Sequence, residues 1–125
     1  MPLFGRKKGA EYSYEGKYLG GHSAFPKEMK VHINLMPNYL EIQEFPAFIP
    51  YENIINVQSM SQEKLSAMRL LLVGIFAFAW KKKKQFMVLT YKDDAGIEQN
   101  PVFDMKKIEE VQPAIYRKMI AARQK

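Results

Sequence analysis

The sequence has no cysteine among its 125 residues, and it has only two histidines. Without cysteine there are no disulfides and no thiolate metal sites, and we expect a protein of a reducing compartment, the cytoplasm. The glycine-rich phosphate motifs GxxxxGK[ST] and GxGxxG are also missing. At this length the chain is long enough for one domain with a buried core, and we expect no cofactor.

An apolar segment long enough to span a membrane is missing as well. Leu70–Trp80 is the longest apolar stretch, with eleven residues, and Lys81–Lys84 follow it directly. As a helix it would reach about 16 Å, against about 30 Å of hydrocarbon. We therefore predict a buried strand, with shallow insertion at a membrane interface, Trp80 at headgroup depth, as the alternative.

Positive charge is in excess: 19 Lys and Arg stand against 13 Asp and Glu, for a net charge of +6. Such a balance favours anionic surfaces without specifying one. Residues 1–12 have no hydrophobic periodicity and contain Arg6, Lys7 and Lys8, so we predict a flexible basic arm ahead of a single domain at 13–125. The arm lacks the apolar core of a secretory signal, and we therefore do not expect it to act as one.

The first half of the chain shows the period of half-buried strands. A first strand is predicted from Tyr14 to Gly20-Gly21, where two glycines permit close approach of another backbone. Apolar and polar residues alternate over Met29–Leu35 and again over Tyr39–Gln43. Separated by a short turn, these two stretches predict an antiparallel hairpin with one wet face.

Prolines predict where regular pairing stops. Pro46 and Pro50 lie in Phe45–Tyr51, where we expect the ladder of hydrogen bonds to break. Pro101 lies in Ile97–Phe103, the strand predicted after the hairpin loop, which we therefore place near a sheet edge.

The middle of the chain predicts two further strands, Ile54–Met60 and Gln85–Tyr91. The second has apolar residues on both faces, which is typical of a strand covered on both sides. Between them, Gln58–Arg69 is predicted as a surface connection, with a short helix capped by Ser59 as the alternative. Asp93 and Asp94 are interpreted as residues of a hairpin turn.

After Asp104, a predicted N-cap, the apolar period becomes helical. We predict a C-terminal helix at about 106–123, kinked near Pro113. Its apolar stripe comprises Ile108, Val111, Ile115, Met119 and Ala122. The fold class is thus mainly β (α+β): a sandwich or partly open barrel of about seven antiparallel strands, capped by this helix.

This order of elements, together with the residue sequence of several segments, resembles bacterial pleckstrin-homology-like (PH-like) and GRAM-like domains. The similar segments are Tyr18–Gly21, Ile49–Val57, Arg69 with Gly74, Lys82–Lys84, and Phe86–Asp93 with Gly96. The resemblance covers about residues 14–122 and implies two roughly orthogonal sheets plugged by the helix, in a non-enzymatic binding module.

In relatives of this kind, basic residues of the first two strands and their loop often hold lipid headgroups. The matching positions here are Lys17, Lys27 and Lys30. Lys30 is followed by Val31 and His32, so the arginine fork for bidentate phosphate recognition is missing.

Catalytic residue types are scarce. Ser23 follows His22 directly, but a triad is defined by geometry and not by adjacency. His32 is predicted on the wet face of its strand with no ligand set around it, so no metal site is expected. Nucleic-acid binding is disfavoured because Glu41 lies beside the exposed rings and no RNA-binding motif is present.

Two functions remain open. The preferred one is binding of a protein or peptide, with a homo-oligomer included, through an open sheet edge or the groove beside the C-terminal helix. Its candidate residues are Phe45, Phe48, Ile49 and Pro101. The alternative is peripheral binding to an anionic membrane at its inner face, for which the candidates are Arg6, Lys7, Lys8, Lys17, Lys27, Lys30, Trp80, Lys81, Lys82, Lys83 and Lys84. The two differ in their expected response to salt.

Overall fold

The computed structural model describes residues 9–67 and 85–124. In this part of the chain one antiparallel half-barrel sheet has eight strands in the order β4-β3-β2-β1-β8-β6-β5, and β7 pairs with β6. The strands are β1 (Tyr12–Gly20), β2 (Met29–Leu35), β3 (Tyr39–Ile42), β4 (Ala47–Pro50), β5 (Ile54–Ser61), β6 (Gln85–Lys92), β7 (Glu98–Gln99) and β8 (Val102–Met105). A 3-10 helix joins β4 to β5, and the α-helices are α1 (Gln62–Ala67) and α2 (Ile108–Arg123). The mainly β fold with a C-terminal helix is confirmed, with eight strands where about seven were expected.

The predicted hairpin is confirmed as β2–β3, but its outer face is not wet throughout. Asn34 and Glu41 are register partners on that face, and they are only 1% and 3% exposed. The Ser13 hydroxyl donates to Asn34 Oδ1 at 2.7 Å, and Asn34 Nδ2 donates to Glu41 Oε1 at 3.1 Å. Hydrogen bonding makes this burial of polar groups tolerable, and alternation of residue types alone does not reveal it.

The expected break over Phe45–Tyr51 is wrong, because β4 pairs with β3 through four registered residues. Pro46 lies just before the strand, in a cis peptide with Phe45, and Pro50 is the last residue of the strand. Proline is compatible with a strand at its ends and at a free edge.

The edge position predicted for Ile97–Phe103 is also wrong. The segment divides into β7 and β8, and β8 lies inside the sheet between β1 and β6. Pro101 precedes β8, and its carbonyl accepts the Leu89 N–H at 3.1 Å. The close approach predicted at the glycine pair is confirmed, because a Cβ on Gly21 would overlap the carbonyl of Asn100.

Strand β6 is buried on both faces, as predicted. Met87, Leu89 and Tyr91 belong to the main core, which lies between the sheet and α2. The opposite face carries a second apolar cluster, formed by Leu19, Met60, Leu65, Phe86, Val88 and Val102.

Boundaries around the sheet differ from the predicted ones at two places. Strand β1 begins at Tyr12, and before it Ala10 is buried and the Glu11 N–H donates to the Leu35 carbonyl at 2.8 Å. Between β5 and β6 the chain forms the short helix α1, whose cap is Ser61 and not Ser59: its hydroxyl accepts the Lys64 N–H at 3.2 Å. The predictions for Leu70–Trp80 and for residues 1–8 fall outside the described residues.

Helix α2 begins at Ile108, so the N-cap predicted at Asp104 is wrong. Asp104 belongs to β8, and Lys107 takes the N-cap position without a side-chain hydrogen bond. The predicted stripe packs inward, with Val111, Ile115 and Met119 at most 2% exposed. Pro113 lies inside the helix, and the kink stays a prediction.

Candidate functional site

The two edge strands of the sheet order, β5 and β4, differ in what contacts them. At the β5 end, side chains of α2 hydrogen-bond to strand carbonyls: Gln112 Nε2 donates to Val57 at 3.0 Å, and Arg123 Nη2 donates to Ile54 and Ile55 at 3.1 and 2.9 Å. At the other end, β4 pairs with β3 alone among the described strands. Within residues 9–67 and 85–124, strand β4 therefore has a free edge.

Hydrogen bonding in β3 shows which groups of β4 face that edge. The Gln43 N–H donates to the His32 carbonyl and the Tyr39 carbonyl accepts the Met36 N–H, so alternate residues of β3 bond to β2. The residues between them bond to β4, and their partners there are Ala47 and Ile49. Phe48 and Pro50 consequently direct their backbone outward. Because proline has no N–H, Phe48 supplies the outward N–H of this strand.

A groove of about 440 Å³ runs along the free edge of β4, between that strand and the end of β6. We call it the β4 groove. Three chain segments and one residue of the 3-10 helix line it: Phe45 to Pro50, the β1–β2 loop residues His22 and Phe25, Tyr91 to Asp94, and Asn53.

The floor of the β4 groove is aromatic. Phe25 and Phe45 stack with their centroids 4.3 Å apart, and the Tyr18 ring meets Phe45 edge-on at 5.1 Å. Phe45 is 7% exposed and belongs to the core, whereas Phe48 on the rim is 57% exposed. Such offset and edge-to-face contacts add stability beyond the area they bury, so the floor is rigid while Phe48 remains accessible.

His22 fastens the β1–β2 loop to this floor. The Ala24 N–H donates to His22 Nδ1 at 3.0 Å, so in the neutral ring the proton lies on Nε2. Nε2–H then donates to Tyr91 Oη, 2.9 Å away. The His22 N–H donates to Tyr18 Oη at 3.0 Å, and that hydroxyl donates to the Phe25 carbonyl at 2.5 Å.

A second set of hydrogen bonds holds the opposite rim. Gln99 Nε2 donates to Ser23 Oγ at 2.9 Å and to Asp93 Oδ2 at 3.0 Å, while Gln99 Oε1 accepts the Ser23 N–H. Asp93 Oδ1 accepts the N–H groups of Ala95 and Ile97, which confirms its predicted turn role. Loop and hairpin are thus joined through the buried Gln99.

The protonation states of the ionisable groups in the site follow from this geometry. Burial lowers the pKa of His22, and the nearby Asp93 carboxylate opposes that shift. Burial, followed by the same carboxylate, raises the pKa of Tyr91. The hydrogen bond from Gln99, then that from Ile97, lowers the pKa of Asp93. At neutral pH the groove therefore holds a neutral imidazole, a neutral phenol and an ionised aspartate.

This arrangement does not have the geometry of a nucleophilic centre at Ser23. Both ring nitrogens of His22 are engaged by Ala24 and Tyr91, so the imidazole is not positioned as a base for Ser23. Within residues 9–67 and 85–124, no group of three or more His, Asp or Glu side chains could hold a metal ion.

Of the predicted peptide-binding residues, the structure brings three together at the β4 groove. Phe45, Phe48 and Ile49 line it, although the Ile49 side chain is only 3% exposed and points to the core. Pro101 is buried elsewhere, ahead of β8.

The predicted anionic-surface residues are dispersed. Lys17 and Lys30 are register partners on the outer face and line a second groove of about 560 Å³, together with Lys106. Lys17 pairs with Glu28 at 3.0 Å, and Lys106 pairs with Glu15 at 3.3 Å. Lys27 is exposed in the β1–β2 loop. Arg6, Lys7, Lys8, Trp80 and Lys81–Lys84 lie outside the described residues.

Sequence reasoning missed His22, Tyr91 and Asp94 as members of the site. His22 lies 69 positions before Tyr91 in the chain, and the folded sheet brings the β1–β2 loop against the end of β6. The available signal was the pair Phe25 and Phe45, two isolated aromatic residues next to prolines in segments that otherwise read as loops.

Comparisons with known proteins provide no family for this chain: no family model and no curated protein matches it significantly. None of the helices in the described ranges is long and apolar enough to cross a bilayer.

Proposed function

We propose that this chain is a non-enzymatic binding module of the cytoplasm that holds a short peptide segment of a partner protein in the β4 groove. The observation that carries the proposal is Phe48, a large aromatic residue 57% exposed on the outer face of β4, whose free edge borders a groove with a stacked aromatic floor. Exposed apolar surface next to a groove is typical of interaction sites, and a free edge supports binding of an extended segment.

The prolines favour a partner protein over self-assembly through this edge. Two copies pairing edge to edge would each need several outward N–H groups, and β4 offers that of Phe48. Pocket contacts must therefore supply most of the affinity, which suits a short segment with one apolar anchor.

The order of elements also supports our proposal that the fold is PH-like. Strand β1 pairs with both β2 and β8, and the C-terminal helix packs on β5, β6 and β8. The sequence resemblance implies two roughly orthogonal sheets plugged at one end by the helix, and a half-barrel sheet with α2 packed against it is compatible with that arrangement.

Selection from a phage-displayed library of random dodecapeptides on the immobilised protein tests this function, with Phe48→Ser as the counter-selection. Enriched peptides are then measured by fluorescence anisotropy. Because burial of a Phe side chain contributes about 1.5–3 kcal/mol, Phe48→Ser should weaken binding about tenfold or more.

The matched control is Tyr116→Ser, which removes an aromatic ring that is 45% exposed on α2. Binding should stay at the wild-type level in this variant. Enrichment of peptides that bind Phe48→Ser and wild type equally would refute the β4 groove as the site.

The alternative, peripheral binding to an anionic membrane, is supported by the adjacent Lys17 and Lys30 and by the predicted cluster Lys81–Lys84. At about 1 kcal/mol per basic residue near an anionic surface, four lysines contribute up to about 4 kcal/mol. Co-sedimentation with phosphatidylserine vesicles at low and high salt tests this membrane-binding alternative. Salt-sensitive binding that Lys81–Lys84→Gln abolishes supports the membrane, and no binding at low salt refutes it.

A further inference from the structure

Phe48 presents its backbone and its ring in different directions. Its N–H and carbonyl point away from β3 at the free edge, because its two neighbours in β4 are the residues that bond to β3. Its ring lies on the outer face of the sheet, in the row that Asn34 and Glu41 form across β2 and β3. The Phe48 side chain is 57% exposed there. A ligand that uses both features must reach the strand edge and the outer face together.

The inner side of the same strand offers a different surface. Ala47 and Ile49 point toward the core, because their partners in β3 are buried core residues. Ile49 is 3% exposed, whereas Ala47 is half-buried and lines the groove together with Phe25, which stacks on Phe45. Ala47 has only a methyl group, so a larger apolar side chain of a ligand fits on the inner side of this edge.

Hydrogen-bonding groups along this edge are centred on one residue. Pro46 and Pro50 lie two positions to either side of Phe48, and proline has no N–H. Phe48 is therefore the residue here that both donates and accepts. In antiparallel pairing, two residues that lie opposite each other exchange both hydrogen bonds, so one residue of a ligand satisfies Phe48 completely.

The far side of the groove selects against negative charge. Among the described residues that line it, the carboxylates of Asp93 and Asp94 outnumber the one ammonium group, that of Lys92. An acidic side chain that entered the groove would meet like charge, whereas a neutral apolar side chain would not. The residue that points inward should therefore be apolar and carry no carboxylate.

We propose that the peptide binds as an antiparallel strand on β4 and is recognised on both faces of the sheet. Its outer residue, opposite Phe48, exchanges both backbone hydrogen bonds and lays an apolar side chain beside the Phe48 ring. Side chains alternate along a strand, so the next residue, opposite Ala47, points inward toward Phe25 as the apolar anchor. We call it the inner residue. The inference rests on the proposed function and specifies its ligand class, an extended segment with these two successive apolar residues.

An N-methyl scan of a dodecapeptide enriched on the wild-type protein tests the pairing. Methylation at the outer residue removes the N–H that bonds the Phe48 carbonyl, and we expect binding to weaken about tenfold. The N–H groups of the two flanking residues point away from β4, so methylation there should leave the affinity close to that of the parent peptide. Uniform sensitivity or uniform tolerance along the peptide would contradict strand pairing.

Double-mutant cycles between peptide and protein assign the two faces. Alanine at the outer residue should couple with Phe48→Ala, and alanine at the inner residue should couple with Phe25→Leu, each by about threefold or more. The crossed pairs are the matched controls, and they should show no coupling. Coupling of both peptide residues to the same ring would contradict recognition on two faces.

The charge requirement has its own matched pair. Glutamate in place of the inner residue should bind more weakly than glutamine, because the two side chains have the same shape and differ in charge. The Asp94→Asn variant should narrow that difference. Equal binding of the glutamate and glutamine peptides to the wild-type protein would contradict selection against negative charge.

The outcomes distinguish this inference from the function it depends on. If enriched peptides require Phe48 but show no alternation in the N-methyl scan, strand pairing is overturned and the peptide-binding function stands. If no enriched peptide requires Phe48, both are overturned.

Discussion

At the scale of single residues, His22 joins the loop, the aromatic floor and the main core. Its neutral form accepts from Ala24 and donates to Tyr91, and protonation of Nδ1 would remove the first of these bonds. Burial lowers the folded-state pKa below the usual 6.5, so the unfolded chain binds the proton more readily. The contribution of His22 to stability is then fully present above pH 6.5 and is lost as the pH falls toward its folded-state pKa.

An NMR titration of the His22 ring protons measures this directly, and we expect a midpoint below 6.5. The same titration on Tyr91→Phe, which removes the Nε2 partner and keeps the ring, should alter the midpoint. A midpoint above 6.5 in the wild type would contradict the buried, hydrogen-bonded state of His22.

Two glycines with positive φ provide a second test at this scale. Gly21 has φ +98° and backs onto the Asn100 carbonyl, whereas Gly96 has φ +80° and nothing within 4 Å of an added Cβ. Alanine at Gly96 should destabilise the fold by about 1–2 kcal/mol, the cost of a left-handed residue. Alanine at Gly21 adds an overlap with the backbone and should cost a further 1–3 kcal/mol or so. Urea denaturation measures the free energy of unfolding of both variants. Equal losses of stability would contradict the close approach of Gly21 to the Asn100 carbonyl.

At the scale of elements, proline blocks further pairing at one end of the sheet and α2 does so at the other. Pro50→Thr restores an outward N–H at the free edge of β4, and we expect concentration-dependent self-association by sedimentation velocity. Pro26→Ser, at an exposed loop position, is the control, and this variant should sediment as the wild type does. A Pro50→Thr variant with wild-type sedimentation would show that the edge is protected by something other than its missing donor.

Alternation of apolar and polar residues predicted β2 and β3, because one face of each strand packs on the core. Apolar residues on both faces of Gln85–Tyr91 predicted that β6 is buried on both sides. Proline was less informative. Pro50 is the last registered residue of β4 and Pro101 directly precedes β8, and the effect of each proline depends on which way its missing N–H would have pointed. Register decides that direction, and register is a property of two strands together.

At the scale of the whole molecule, the β4 groove is assembled from segments that begin at His22, Phe45 and Tyr91. Sequence reasoning identified Phe45, Phe48 and Ile49 because apolar residues lie there between prolines. It had no means of bringing Tyr91–Asp94 to the same groove as Phe45–Pro50, since that depends on how far the sheet curls from β4 to β6. Local chemistry was thus predictable, and the pairing of distant rims was not.

The most direct measurement of the central claim is the amide chemical-shift map of the protein titrated with an enriched dodecapeptide. The account predicts the largest shifts at Phe48, whose N–H faces the groove, and at the neighbouring Asp94 and Asn53. Shifts concentrated instead on Lys17, Lys30 and Lys106 of the second groove would contradict it, since that surface lies on the other face of the sheet from the β4 groove floor.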